Sequence, residues 1–194
     1  MIRILKEFNN YLQKNYKFGF VNHYPFRTSI YIAKEHFKRE QIIAVEIGTF
    51  KGQNALNILQ QLNIKRIYLI DPYSKYEAYK KDPSGKNVDK NREIAKKRLK
   101  KYANKIVWVR KFSEQAVKDI KEKIDFIYID GNHDYEYVKG DMENYWKILK
   151  EGGIMAGHDV PTDSVLKAFC EFINKHKLEP HIWNMDWWIF KHKI

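Results

Sequence analysis

The sequence of 194 residues predicts an α/β fold, a doubly wound and mostly parallel sheet with helices on both faces. Two observations carry that expectation. From residue 41 onward, short apolar runs alternate with amphipathic stretches of helical period, the pattern of a parallel sheet whose crossovers are helices. The composition, 44% hydrophobic and 15% aromatic, is that of a packed globular chain and excludes the apolar-poor signature of disorder. A chain of this length is expected to form one domain, with 1–40 as an N-terminal helical cap and 41–194 as the core.

The cap reads as two short helices. Ile4, Leu5, Phe8 and Leu12 form the stripe of the first, and Thr28 or Ser29 caps a second that carries Ile32, Ala33 and Phe37. An aromatic loop over 18–26 lies between them. The core begins with an apolar strand over 42–47, followed by a helix over 54–62 with Ala55, Leu56, Ile58, Leu59 and Leu62 inward, and a strand over 66–70. A polar stretch over 73–88, with a turn at Asp82-Pro-Ser-Gly85, is the longest loop. A helix over 89–104, a strand over 106–109, a helix over 113–120 and a strand over 125–129 come next. Tyr135, Val138, Met142, Tyr145 and Leu149 then mark a long helix, stopped by Glu151-Gly-Gly153. A strand over 154–156, a helix over 163–175 and two aromatic segments, 181–183 and 187–190, complete the chain.

The charge is uneven. The chain carries a net +12, and the segment 75–111, with fourteen basic and four acidic residues, supplies +10 of it. A balance that basic points to an anionic partner. Arg3, Lys6 and Glu7 charge the first residues, and no stretch approaches the ~18 uncharged apolar residues of a membrane span. These features lead to the expectation of a cytoplasmic protein with no membrane partner. The one cysteine, Cys170, cannot form an internal disulfide and is expected to be a packed thiol on an amphipathic helix.

Two constellations carry chemistry. The first strand runs into Glu46-Ile-Gly48-Thr-Phe-Lys-Gly52, where glycines let backbone amides approach a ligand and a helix N-terminus favours a negative group. The second strand ends at Asp71, where a doubly wound fold holds ribose hydroxyls, because a carboxylate can accept from both at once. Together these favour a nucleoside cofactor over a mere structural turn. A nicotinamide dehydrogenase is disfavoured, since Phe50 stands where the second glycine of Gly-x-Gly-x-x-Gly would be. The other constellation is Ile129-Asp130-Gly-Asn-His133-Asp-Tyr135, ending the fourth strand, with Gly157-His158-Asp159 ending the fifth. Asp130 and Asp159 should converge there, and two carboxylates suit a hard cation such as Mg²⁺. His133 is placed for proton abstraction.

These motifs, with Tyr135 running on through Glu-Tyr-Val-Lys-Gly to Asp141 and with Leu149 to Asp159, resemble the class I S-adenosylmethionine-dependent methyltransferases. Within that class they resemble the small macrocin-type sugar O-methyltransferases, from Ile42 to the end of the chain. The resemblance implies a Rossmann-like sheet of seven strands whose last two form an antiparallel hairpin. It implies S-adenosylmethionine as cofactor, with Glu46, Gly48, Thr49 and Gly52 around its methionine and ribose parts. Asp71 would lie on the ribose hydroxyls, Ser113 near the adenine, and Asp130 beside the cofactor. Asp130, His158 and Asp159 fall at the positions that hold Mg²⁺ in metal-dependent relatives, although His158 departs from the commoner oxygen ligand. His133 corresponds to the base. The expected reaction is methylation of a hydroxyl oxygen of a small molecule or sugar, since no Asn-Pro-Pro-Tyr-like motif follows the fourth strand.

The acceptor is expected to be a small molecule, anionic or nucleotide-linked, in a pocket shaped by loops 18–26 and 73–88 and by Trp187 or Trp188. An RNA methyltransferase or RNA-binding module is the alternative, because Tyr76, Tyr79, Tyr102 and Trp108 interleave the basic segment. Against it, Ile94, Leu99 and Tyr102 at helical spacing leave Lys96, Lys97, Lys100 and Lys101 as a solvated face. Whether the chain acts as a monomer or a homodimer stays open.

Overall fold

A computed structural model describes residues 27–74 and 87–192. The helix expected from Ile4 to Leu12, the aromatic loop 18–26 and most of the loop 73–88 lie outside the described residues. The remainder is α1 (Thr28–Phe37), β1 (Ile42–Ile47), α2 (Gln53–Gln61), β2 (Ile64–Ile70), α3 (Val88–Leu99), β3 (Ile106–Val109), α4 (Ser113–Ala116), β4 (Ile124–Ile129), α5 (Tyr135–Trp146), β5 (Leu149–Gly157), α6 (Asp163–His176), β6 (His181–Trp183) and β7 (Asp186–Phe190). The seven strands form one sheet in the order β3-β2-β1-β4-β5-β7-β6. All neighbours are parallel except β5 with β7 and β7 with β6, which make the antiparallel C-terminal hairpin.

Period-two alternation explains why both faces are covered. On β1, Val45 and Ile47 enter one apolar cluster, with Val138, Met142 and Tyr145 of α5 and Phe169 and Phe172 of α6. Ile42 and Ala44 enter the other, with Ile30 and Ala33 of α1, Ile58 and Leu59 of α2 and Leu99 of α3. The same alternation divides Ile127 and Ile129 from Phe126 and Tyr128 on β4. Among the described residues, no helix is long and apolar enough to cross a membrane.

Several elements differ from the sequence expectation. The long helix ends at Trp146, and Leu149 is the first residue of β5. Glu151-Gly-Gly153 is therefore no helix stop but an irregularity within that strand: Ile124 pairs with Leu149 and Phe126 with Ile154. Gly152, at φ 76°, allows the kink, and its N–H donates to the Lys191 carbonyl at 2.6 Å. The basic helix is regular only to Leu99 and continues to Lys105 as a tighter 3₁₀ turn; its buried residues are Asn91, Ala95 and Leu99, with Ile94 only half-buried. The helix expected over 113–120 is four residues long, followed by a 3₁₀ turn at Val117–Asp119. Cys170 is exposed and not packed.

Neither Thr28 nor Ser29 caps α1, whose N-cap is Arg27. Ser29 is instead fully buried, and its N–H and Oγ both donate to Oδ2 of Asp186 on β7, at 3.0 and 2.7 Å. A carboxylate from the far end of the chain thus satisfies an orphan amide of the helix start and complements its dipole. Trp187 and Trp188 are both buried in the core, Trp187 with its ring 4.9 Å from that of Phe169. Neither tryptophan lines the cleft described below.

Candidate active site

The sheet's register sets the site. Ile47 pairs with Ile70 on one side and Ile129 on the other, Ile70 pairs with Val109, and Ile129 pairs with Gly157. The strands therefore end level, and the next residues, Gly48, Asp71, Asp130 and His158, fall along one edge. The chain winds from β1 outward to β3 and then returns to β4 on the opposite side of β1, so the crevice between the β1 and β4 tips is the switch point where such sheets bind ligands. A cleft of about 240 Å³ opens there. Gly48, Asp71, Ser113, Asp130 and His133 line it, while Glu46, Thr49, Gly52, His158 and Asp159 do not.

Gly48 closes the gap between β1 and β4. At φ 88°, it would place a Cβ 2.0 Å from the Asp130 carbonyl oxygen. We expect Gly48→Ala to cost about 3 kcal/mol or more, lowering the thermal midpoint by roughly 6–12 °C. A shift below about 2 °C in a circular-dichroism melt would refute this close approach. Gly52, also at positive φ, serves a different contact: its Cβ would lie 3.0 Å from Leu99 and 3.3 Å from Ala95, so it seats the start of α2 against α3.

Asp71 is fixed by the loop that follows β1. Its Oδ2 accepts from the Phe50 N–H and its Oδ1 from the Tyr73 N–H, both at 2.8 Å. Tyr73 closes the ring by donating its hydroxyl to the Phe50 carbonyl. Burial raises the Asp71 pKa, against the lowering effect of the two amides. Each oxygen retains a lone pair, so the carboxylate can still accept from a vicinal diol. Beneath the loop, Glu46 is buried; Asn54 donates to Oε1 at 3.0 Å, whereas Oε2 has no partner. Burial pushes the Glu46 pKa up to about 8.

The β4 and β5 tips hold opposed charges. His133 Nε2 lies 3.1 Å from Asp159 Oδ2 and 3.8 Å from Asp130 Oδ1, close ion pairs in which the ring N–H is aligned with neither carboxylate as a hydrogen bond. Asp130 and Asp159 together push the His133 pKa up to about 10. In return, His133 and His158 hold Asp159 well below the usual carboxylate range. Two bonds steady the loop: Ser164 donates its hydroxyl to the His133 carbonyl, and the Asp134 N–H donates to the Asn132 side chain.

Sequence reasoning missed Arg27. Its Nη1 stands 2.9 Å from Asp130 Oδ2 and donates to the Tyr128 hydroxyl at 2.6 Å, with the guanidinium over the Tyr128 ring. Tyr128 in turn donates to Asp186 Oδ1 at 3.1 Å. No spacing rule could reveal a contact between residues 101 positions apart. The tyrosine hydroxyl between Ile127 and Ile129 was the only signal.

Asp130, His133 and Asp159 each present a ligand atom within 4.8 Å of the others. His158, expected in that set, lies outside it: Nδ1 sits 3.0 Å from Asp159 Oδ2, and Nε2 sits 4.0 Å from Asp186 Oδ1. Two carboxylates and one imidazole whose buried Nε2 is unaligned fit a divalent cation, although the imidazole suits Mn²⁺ or Zn²⁺ better than Mg²⁺.

Residues 45–160 match the family described as a methyltransferase domain. The uncharacterized protein R132 of Acanthamoeba polyphaga mimivirus is 27% identical over 157 residues, 77% of this chain. The chain spans 64% of that relative's length. Among solved structures, an O-methyltransferase from Bacillus cereus in complex with S-adenosylhomocysteine (SAH) superposes with a TM-score of 0.62 at 14% identity, over 98% of this chain and 100% of that one. An rRNA methylase from Streptococcus thermophilus superposes with a TM-score of 0.61 at 14% identity, over 86% of this chain and 98% of that one. These structural likenesses are likenesses of fold.

Proposed function

The chain belongs to the methyltransferase-domain family, and from that premise we propose that it transfers the methyl group of S-adenosylmethionine to a hydroxyl oxygen of a small-molecule or sugar acceptor, with His133 as base. One observation carries the reading: Asp71, Gly48, Asp130 and His133 meet in a single cleft at the switch point. Asp71 offers acceptors for the ribose diol, and Gly48 lets the cofactor approach the backbone. The orphaned Oε2 of Glu46 offers the methionine ammonium an acceptor that would ionise as the cofactor binds. Nothing about the comparisons singles out the macrocin-type group, and the sugar acceptor rests on the motifs alone.

In this mechanism the sulfonium already makes the methyl group electrophilic, so the protein's work is alignment and proton removal. Asp130, pinned by Arg27, orients the His133 ring through its near oxygen, and Asp159 holds it from the other side. A divalent cation held by Asp130, His133 and Asp159 would act as a Lewis acid and lower the pKa of an acceptor hydroxyl. His133 Nε2 can serve that cation or the acceptor proton, not both. Because Arg27 already neutralises Asp130, we expect methyl transfer to survive exhaustive chelation. Loss of transfer that Mn²⁺ or Mg²⁺ restores would reassign Nε2 to a metal.

The reading is tested by calorimetric titration with SAH and by methyl transfer from labelled cofactor to a panel of hydroxylated small molecules. Failure to bind SAH would overturn it. A second reading, with RNA as acceptor, draws on α3 and the 3₁₀ turn after it: Lys97, Lys100 and Lys101 are exposed, while Val88 and Asn91 of α3 line the cleft. RNA affinity falling by orders of magnitude between about 50 and 200 mM salt would favour that acceptor.

A further inference from the structure

We propose that Asp141 reads the adenine of the cofactor, its carboxyl oxygen accepting a hydrogen bond from the exocyclic amino group. The inference rests on the S-adenosylmethionine reading and adds a residue that decides which nucleoside the cleft takes. The buried face of α5 consists of Val138, Asp141, Met142 and Tyr145, so one carboxyl lies among apolar side chains. Asp141 is only 4% exposed, yet it forms part of the cleft wall. It also walls an adjoining cavity of about 410 Å³ that shares Phe112, Ser113 and Tyr137 with the cleft. A carboxyl retained at such a position needs hydrogen-bond donors. The Ser113 side chain beside it favours the ionised form, and a carboxyl has acceptor sites to spare.

The direction of the bound molecule follows from the strand order. With the ribose at Asp71 on the β2 tip and the methyl-bearing end toward Asp130 and His133 on β4, the base must extend to the remaining side, past the end of β3. There the wall is Phe112, Ser113 and Asp141, with Ile70 and Tyr137 as apolar neighbours for a flat ring. Adenine presents an amino group at its outer edge, which a carboxyl oxygen can accept. A hypoxanthine ring presents a carbonyl oxygen instead, which the same carboxylate repels. Burial, aided by the Glu114 charge, pushes the Asp141 pKa up to about 7, so the group is ionised or poised to ionise in the working range.

The test is calorimetric binding of SAH, S-inosylhomocysteine and the N6,N6-dimethyl analogue of SAH to the full chain and to Asp141→Asn. The wild type should bind both analogues at least about 30-fold more weakly than SAH, because a site built around one hydrogen bond rejects a ligand that lacks it. Asp141→Asn should lose most of this preference, since an amide can donate to the inosine carbonyl. The proposal is overturned if either analogue binds the wild type within about threefold of SAH, or if the variant weakens SAH and the inosyl analogue equally. Absence of SAH binding to the wild type would overturn the cofactor reading beneath it as well. Should Asp141→Asn fail to fold, a crystal structure of the wild-type SAH complex decides. An adenine amino nitrogen about 3 Å from an Asp141 oxygen supports the assignment, and one that meets another group overturns it.

Discussion

His133→Ala is expected to reduce methyl transfer by about 10²–10⁴-fold, the usual contribution of a general base, while SAH affinity stays within about threefold. The asymmetry follows from where the ring stands. His133 enters the cleft from the β4 tip, whereas Asp71 and Gly48, the groups proposed for the nucleoside, stand at the end of β2 and in the loop after β1. Between Asp130 and Asp159, the imidazole is held to about pH 10 before it loses its proton, so at neutral pH only a small fraction can act as base. Wild-type turnover should therefore climb by about tenfold per pH unit from near-neutral pH and level off near pH 10, and the residual turnover of His133→Ala should lack that slope. Stopped-time assays with labelled cofactor across this range provide the measurement. Equal loss of binding and transfer in the variant, or a wild-type profile flat above neutral pH, would remove His133 from the base role.

The sheet was legible because its signal is local. An apolar run such as Ile42 to Ile47 can be read without knowledge of its neighbours, and the β1, β2, β4 and β5 tips followed from where each run stops. Glycine was the point of ambiguity: Glu151-Gly-Gly153 has the composition of a helix end, and only pairing with Lys191 shows it to be a kink within β5. The polar network was hidden for another reason. Arg27, Tyr128, Asp130 and Asp186 meet only once α1 and β7 are folded against β4, and nothing in a linear reading joins residues so far apart. His133 and His158 differ by orientation. Both stand at strand tips with an adjacent aspartate, and the turn after β4 swings His133 across to Asp159, while His158 lies between Asp159 and Asp186. Asp141 falls in a helical stretch where a charged residue reads as solvent-facing; here the pattern of Val138, Met142 and Tyr145 carries it inward.

Glu46→Gln is expected to stabilise the ligand-free protein while weakening its hold on the cofactor. Glu46 shares the inward face of β1 with Ile42 and Ala44, and burial keeps its carboxyl neutral up to about pH 8, against the usual 4.5 of a free glutamate. Above the lower value the unfolded chain has released this proton and the folded chain has not. Stability therefore falls as pH rises from about 4.5 through about 8, a loss on the order of 5 kcal/mol from this group when complete. Asp141, also raised, contributes a slope of the same sign, so the variant should flatten the pH dependence of the wild type without abolishing it. Glutamine keeps the shape and can still accept from Asn54, but it has no charge to desolvate. Its melting midpoint should exceed that of the wild type by on the order of 10 °C near pH 8 and by little near pH 5. The cofactor reverses the preference: a methionine ammonium brought to the orphaned Oε2 makes the ionised carboxylate favourable, an interaction glutamine reproduces only as a neutral hydrogen bond. SAH affinity should then drop by about 10–100-fold in the variant, most visibly above pH 7. A midpoint difference that does not grow with pH would show that Glu46 is ionised in the ligand-free fold. Unchanged SAH affinity would show that its free oxygen faces no part of the cofactor.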